Sequence, residues 1–386
     1  MKSYLELEEK YALNIFAKRN VVLTRGKGAR VWDENGKEYI DCVAGNGVAN
    51  IGHCNERVIE AITNQAKQLI TCSNIFYNNT RAMLLEKLVQ ITPPNLTRAF
   101  LCNSGTESVE AAIKFARYVT GKSEFICAMR SFHGRTMGAL SATYNVKYRK
   151  DYEPLIPGFN FVPFNNFDKL AAKINKNTSA VLLEVVQGEG GVHIGRKDYF
   201  LKVQKLCNEK GILLIIDEVQ TGLCRTGKMF ACEHFGLHPD MMCLAKSIAG
   251  GLPMGAVMCS DKIELEVGKH GTTFGGNPLV CAASLAAIDF MLENDLARQV
   301  SEKGDYFTQE FRKNNYNQVR ELRQIGLMIG IELKEKSQPY IVELLEQGVL
   351  ALPAGTTVLR LLPPLTISYE ELDMVLDKLK YVLSKY

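Results

Sequence analysis

The sequence predicts an α/β fold completed by a smaller α+β unit. Three observations predict it: short apolar runs alternate with helical periodicity through the middle of the chain, most runs are apolar at successive positions, and the pattern changes after Asn277. A strand without polar alternate positions is covered on both faces, as in a mainly parallel sheet wrapped by helices.

The runs fall at 98–102, 124–129, 180–186, 212–216, 241–245 and 256–259. Between them lie helical patterns at 107–118 and 199–210, the second stopped by Gly211 as a C-terminal cap. After Asn277 come two long helical stretches, short strands near 327–333 and 358–361, and an amphipathic helix from Tyr369. The expected division is 1–50 as an N-terminal segment of the smaller domain, 51–276 as the large domain and 277–386 as the rest of the smaller one.

Composition narrows the function. The 386 residues carry a net charge of +4 with 23% charged side chains, the balance of an ordinary soluble enzyme. That charge is too small and too dispersed for nucleic acid, and it leaves room for an acidic partner. No apolar run approaches the ~20 residues of a membrane span, and the first residues alternate charge with apolar side chains rather than forming a secretory segment. The eleven cysteines are scattered without CxxC spacing and read as reduced thiols, so a cytoplasmic location is expected. His234 and His238 are separated by Gly236 and followed by Pro239, which break any helix that would align them; no metal site is expected.

Asp217 ends the apolar run of LLIIDEVQTG, where open α/β sheets place their ligands, and Lys246 sits among small apolar residues in CLAKSIAGG. Alone, Asp217 reads equally as a helix cap or metal ligand, and Lys246 as a surface lysine. Together they are what a pyridoxal phosphate (PLP) enzyme needs: a carboxylate to hold the pyridine nitrogen protonated and an amine to condense with the aldehyde. At about 4 Å and an effective dielectric near 20, the attraction is roughly 4 kcal/mol, or about three pKa units. A lysine titrates near ~10.4 in water and becomes nucleophilic in a desolvated site, which Ala245, Ile248 and the turn at Gly250 and Gly251 supply.

A phosphate site is also needed. Ser104, Gly105 and Thr106 lie between a strand and a helix opening with Glu107, so free N–H groups and the positive end of the dipole converge there. Ordinary capping would use the same residue types. A second candidate is the loop 271–277, whose glycines flank Thr272 and Thr273 and permit close backbone approach. The segment 131–136 offers the Phe132 ring, His133 and Arg135, whose guanidinium suits a carboxylate.

A rival reading is a P-loop NTPase, because ARYVTGKS fits a relaxed phosphate-loop pattern and LLIIDE resembles an acidic magnesium-binding strand. A phosphate loop follows a strand and opens a helix. Here the helical pattern precedes Gly121 and the strand follows, so Gly121 is expected to end a helix.

The motifs NSGTESVEAA, SFHGRTMG, QGEGGV, DEVQTG, AKSIAGG and TTFGGNPL, in this order from about Val31 to about Pro364, resemble the class III (ornithine/acetylornithine type) aminotransferases of PLP fold type I. The resemblance implies a large, mainly parallel seven-stranded sheet. It implies that Ser104, Gly105 and Thr106 hold the cofactor phosphate, that Phe132 stacks on the ring and that Asp217 pairs with the pyridine nitrogen. Glu218, Val219 and Gln220 lie along the cofactor, and Lys246 binds its aldehyde. Thr273 would reach the phosphate of the neighbouring subunit, which implies a homodimer with shared sites. Arg135 and Thr272 would contact substrate, Arg360 would take the α-carboxylate of glutamate or 2-oxoglutarate, and Glu189 would pair with Arg360 when an ω-amino substrate is bound.

Several stretches, among them EYIDCVAGNGVANIGH and LALPAGTTVLRLLPPL, look closest to the branch acting on lysine or ornithine attached to an acidic LysW-type amino-group carrier protein. N-acetylornithine is the alternative substrate. Lys147, Arg149 and Lys150 would form a basic rim suited to an acidic carrier, or a solvated face. The chain departs from the commoner pattern at Ser108 and Val109, at Val185 after Glu184, and at Cys224.

Overall fold

The computed structural model describes residues 3–385; Met1, Lys2 and Tyr386, the outermost positions of the predicted terminal segments, lie outside the described residues. Its centre is a seven-stranded sheet in the order Leu96–Cys102, Gly255–Ser260, Met241–Leu244, Leu213–Asp217, Thr178–Glu184, Glu124–Ala128, Phe159–Val162. Gly255–Ser260 runs antiparallel to both neighbours and the remaining pairs are parallel. All six expected runs are in this sheet. The seventh strand that the resemblance implies is Phe159–Val162, which the residue pattern does not locate: it is a short, half-buried edge between Gly158 and Pro163, and reads as loop.

Both faces of the sheet are buried, as the unbroken apolar runs require. Val181, Leu183, Leu214, Ile216, Met242 and Leu244 point into one core, while Ala180, Leu182, Leu213, Ile215, Met241 and Cys243 point into another beneath the helix Gly105–Thr120. Ser104 caps that helix by accepting the Glu107 N–H, and Gly121 ends it in the left-handed conformation before the strand Glu124–Ala128. Gly121 therefore closes a helix instead of opening one, and no phosphate loop forms there.

A second sheet is antiparallel, in the order Val319–Ile325, Met328–Leu333, Val358–Leu361, Leu352–Ala354. Its first strand, VRELRQI, was missed because a mixed-charge edge carries no apolar run. Leu23–Lys27, Arg30–Asp33 and Glu38–Asp41 form an N-terminal meander, extended by Val349–Leu350 pairing with Ile40 and Asp41. Arg225 is fully buried where these parts meet. It donates to Asn50 Oδ1 at 2.6 Å, Pro363 O at 2.6 Å and Leu327 O at 3.0 Å, which offsets part of the desolvation that pushes its pKa down to about 9. No described helix is long and apolar enough to cross a membrane.

Candidate active site

Chain segments leaving the carboxyl ends of the central strands converge on one cavity of about 670 Å³. Ser104, Gly105 and Thr106 follow Leu96–Cys102, and Phe132 and Arg135 follow Glu124–Ala128. Asp217 closes its own strand with Val219 and Gln220 beyond it, and Lys246 follows Met241–Leu244. Glu189 and Arg360 complete the wall. Eleven of the fourteen residues expected from sequence thus share one lining.

At the floor, Asp217 Oδ2 lies 2.7 Å from His133 Nδ1, and Oδ1 accepts the Val219 N–H at 3.0 Å. Both side chains are buried. Burial opposes charge on His133, but the hydrogen bond it makes to Asp217 and the charges of Asp217 and Glu184 outweigh it and raise its pKa. Glu184 ends its strand beside them. Its carboxylate accepts the N–H groups of Phe132 at 3.1 Å and Gly188 at 3.4 Å, and burial pushes it up to about 7.

Lys246 is half-buried in the same wall. Burial lowers its pKa to about 8, Asp217 pulls the other way and Arg360 adds to the depression. Its φ of +48° is a left-handed conformation that costs a non-glycine residue of order 1–3 kcal/mol, retained here at the residue that presents an amine to the cavity.

The N–H groups in the first turn of Gly105–Thr120 have no intrahelical acceptor and point to the cavity end of the helix. A Cβ at Gly105 would meet Val219 Cγ1 at 2.8 Å, so only glycine lets this turn approach the Asp217 loop. Thr106 Oγ1 lies 2.6 Å from Thr136 Oγ1, which in turn donates to Glu110.

At the mouth, Arg360 Nη2 lies 3.1 Å from Glu189 Oε2 and Nη1 donates to Gln220 Oε1 at 3.3 Å. The Arg360 side chain is 3% exposed and that of Glu189 35%, so the arginine lies in the wall and the glutamate on its solvent side. Arg135 is exposed and covers the ring of Tyr148 at 3.6 Å.

Three expected residues lie elsewhere. Glu218 turns its carboxylate away from the cavity to accept the N–H groups of Cys232 at 2.7 Å and Ala231 at 3.1 Å and the Thr221 hydroxyl. Thr272 and Thr273 line a separate pocket with Phe100 and His270. The rim also differs from expectation at Arg149, which packs on Phe161 and faces Glu153, while Lys147 and Lys150 are exposed.

Sequence reasoning missed Glu184 and Tyr148 and left His133 without a role. Glu184 ends its strand as Asp217 does, but in the sequence it stands inside the apolar run 180–186, which hides the strand end. Tyr148 has no local signal.

The donor set fits PLP. A helix N-terminus offers free N–H groups to a phosphate, a buried carboxylate backed by histidine faces the cavity, a desolvated lysine stands beside it, and Phe132 supplies an aromatic face. Among the described residues, no group of three or more His, Cys, Asp or Glu is arranged to hold a metal.

Comparison with known proteins agrees with this geometry. Residues 15–383 match the family model described as aminotransferase class III. The [LysW]-aminoadipate semialdehyde transaminase of Deinococcus radiodurans is 47% identical over 386 residues, covering 99% of this chain and 90% of the relative. The acetylornithine aminotransferase of Methanocaldococcus jannaschii is 45% identical, covering 100% and 98%. Among solved structures, the ornithine aminotransferase of Toxoplasma gondii ME49 superposes with a TM-score of 0.95 at 32% identity, covering 100% of this chain and 96% of that one. The acetylornithine aminotransferase of Elizabethkingia anophelis gives 0.88 at 31%, covering 99% and 98%. A cavity built for PLP and a family match spanning nearly the whole sequence lead to one conclusion: the chain belongs to the aminotransferase class III family and is a PLP-dependent transaminase of fold type I.

Proposed function

We propose that this enzyme moves the terminal amino group between a lysine or ornithine carried on an acidic amino-group carrier protein, or its semialdehyde, and 2-oxoglutarate or glutamate. The observation that carries the reading is the Glu189–Arg360 pair beside Lys246, with Arg135 at the mouth. Two guanidinium groups in one cavity serve substrates whose carboxylates lie at different distances from the reacting nitrogen. With Glu189 on Arg360, the α-carboxylate site is closed and an ω-amine enters; with Glu189 displaced, Arg360 takes the α-carboxylate of glutamate.

When bound, PLP supplies an aldehyde that carries nitrogen and a ring that accepts electron density. The chain's residues do the rest. In this reading Asp217, backed by His133, holds a positive charge at the ring nitrogen, and Phe132 covers one ring face. Ser104, Gly105 and Thr106 hold the phosphate, and Gln220 lies near the ring oxygen. Val219 and the Glu218 backbone border the ring. Lys246 Nζ, once free, moves the proton at the substrate carbon that bears nitrogen. Thr273 acts on the phosphate of a second copy of the chain, with Thr272 next to it at the substrate. A homodimer is further supported by exposed Ile75, Phe76, Tyr77 and Phe274 around that loop. Pairing of Val349–Leu350 with the N-terminal meander supports grouping 1–50 with 277–386 around the large unit 51–276.

The carrier assignment is supported by the Deinococcus relative and by exposed Lys147, Lys150 and Arg135. N-acetylornithine is the second reading, favoured by the names of the archaeal relatives. Measuring kcat/KM for carrier-bound lysine, carrier-bound ornithine, free ornithine and N-acetylornithine separates them. A carrier-bound amine is expected to lead, and a strong preference for N-acetylornithine moves the assignment to the second reading.

A further inference from the structure

Tyr148, on the short helix Val146–Arg149, touches both arms of the carboxylate machinery. Its hydroxyl donates to Glu189 Oε1 at 3.3 Å while Glu189 Oε2 pairs with Arg360 at 3.1 Å. Its ring centroid lies 3.6 Å from the Arg135 guanidinium carbon. The ring also stands edge-on to Phe132, with centroids 5.9 Å apart. One side chain thus binds the gate through its oxygen and the second arginine through its π face.

We propose that Tyr148 is a positioning residue that sets how the enzyme alternates between its two substrates: its hydroxyl holds Glu189 closed over Arg360, and its ring fixes Arg135 toward the carboxylate of the ω-amine substrate. The proposal rests on the reading of Arg360, Glu189 and Arg135 as carboxylate-handling residues. An α-carboxylate reaches Arg360 only when Glu189 leaves. The arriving carboxylate replaces the ion pair, but nothing replaces the Tyr148 hydrogen bond to a charged acceptor. The hydroxyl therefore weights the closed state. Burial, followed by the charge of Glu189, raises the Tyr148 pKa against the pull of Arg135, so the phenol stays protonated and donates at neutral pH. The ring acts separately. A guanidinium flat on an aromatic face keeps its N–H edge free for a carboxylate, and the contact restricts a long, exposed side chain to one direction.

Because the two roles use different atoms, two substitutions in the holoenzyme separate them. Tyr148→Phe keeps the ring and removes the hydroxyl; Tyr148→Leu removes both. The readouts are the two half-reactions, followed separately by single turnover with glutamate and with N-acetylornithine, and the Kd of glutarate, an unreactive dicarboxylate, by calorimetry. Tyr148→Phe is expected to lower the glutamate KM and the glutarate Kd by about fivefold to tenfold, the scale of one intramolecular hydrogen bond, while the N-acetylornithine KM stays within about twofold. Tyr148→Leu is expected to show the same gain for glutarate and also to raise the N-acetylornithine KM by about fivefold, the scale of a partly desolvated cation–π contact. Glu189→Ala is the control and should tighten glutarate at least as much. If Glu189→Ala tightens glutarate and Tyr148→Phe does not, the Tyr148 role is overturned and the gate stands. If Glu189→Ala leaves glutarate binding unchanged, the gate itself is overturned, and Tyr148 with it. Equal losses in both half-reactions for both Tyr148 variants would show a merely structural residue and overturn the proposal.

Discussion

His133 Nδ1 lies 2.7 Å from Asp217 Oδ2, and both side chains are buried. A buried carboxylate without a partner would take up a proton instead of staying charged. The histidine supplies Asp217 with that partner. Breaking such a pair by removing one member costs 3–5 kcal/mol as a rule of thumb. His133→Leu is expected to lower stability in urea by roughly that amount. It should also lower kcat by about tenfold or more, the scale of one lost hydrogen bond to a charged group. Unchanged kcat in a folded His133→Leu enzyme would remove His133 from the site.

The carboxylate beside that pair sets a pH dependence. Glu184 is pushed up to about 7 by burial, with Asp217 adding to the rise and His133 and two N–H groups opposing it. Its carboxyl in the unfolded chain ionises near ~4.3, so between that pH and about 7 the folded state holds a proton that the unfolded state has lost. Stability therefore falls as pH rises through this window. His133, raised above its usual 6.5, adds to the decline: its contribution is complete below pH 6.5 and lost as pH rises through the raised value. Urea midpoints of the cofactor-free protein are expected to drop from pH 5 to 8, and Glu184→Gln to flatten the slope below pH 7. A wild-type profile already flat between pH 5 and 7 would contradict this account of Glu184.

Lys246 carries the opposite sign. Desolvation lowers it from 10.5 to about 8 despite the attraction of Asp217, so below pH 8 the cofactor-free fold holds a half-buried ammonium that the unfolded chain solvates more fully. The drop corresponds to on the order of 3 kcal/mol. Lys246→Met without cofactor is expected to be more stable than cofactor-free wild type at pH 7. The gap should close between pH 8 and 10.5, where the folded lysine is neutral and the unfolded one still charged. With cofactor added, the wild type should gain absorbance near about 420 nm and the variant should not, since the chromophore requires the lysine nitrogen. A variant no more stable than wild type at pH 7 would show that desolvation of Lys246 costs the fold nothing.

Legibility in the sequence followed the range of the signal. Asp217, Lys246 and Gly105 were readable because each stands at a local boundary, a strand end or helix start, that the chain writes in adjacent residues. The central sheet was readable for the same reason, except at its edge strand Phe159–Val162; Val319–Ile325, an edge of the second sheet, and the short strands of the N-terminal meander carry too little apolar demand to be read. Tyr148 was not readable. Its meaning depends on residues 135, 189 and 360 meeting it across three segments, and nothing in NVKYRK distinguishes it from a solvated turn. Glu218 misled because it is adjacent to Asp217 in sequence, yet it lies beyond the strand end and turns to the N–H groups of Ala231 and Cys232.

Thr273 gives the sharpest test of assembly. It lies outside the Lys246 cavity, on a loop tied down by Asn74 Nδ2, which donates to Thr272 O at 3.3 Å and Gly275 O at 3.2 Å. Phe274 on that loop is 63% exposed and Phe76 beside it 64%, an apolar surface suited to a second copy. If Thr273 serves the partner's site, Thr273→Ala alone should weaken cofactor retention by about tenfold, the loss of a hydrogen bond to a charged phosphate. Lys246→Ala alone should be inactive. Co-expressed and purified as mixed dimers with two different tags, the two variants should regain activity. One site then combines Lys246 of the Thr273→Ala chain with Thr273 of the Lys246→Ala chain, and the other site carries both defects. If Thr273 acts within its own chain, the mixed dimer holds one dead site and one weakened site and recovers nothing. The second result would reassign Thr273 to loop structure, and sedimentation as a monomer would remove the shared site altogether.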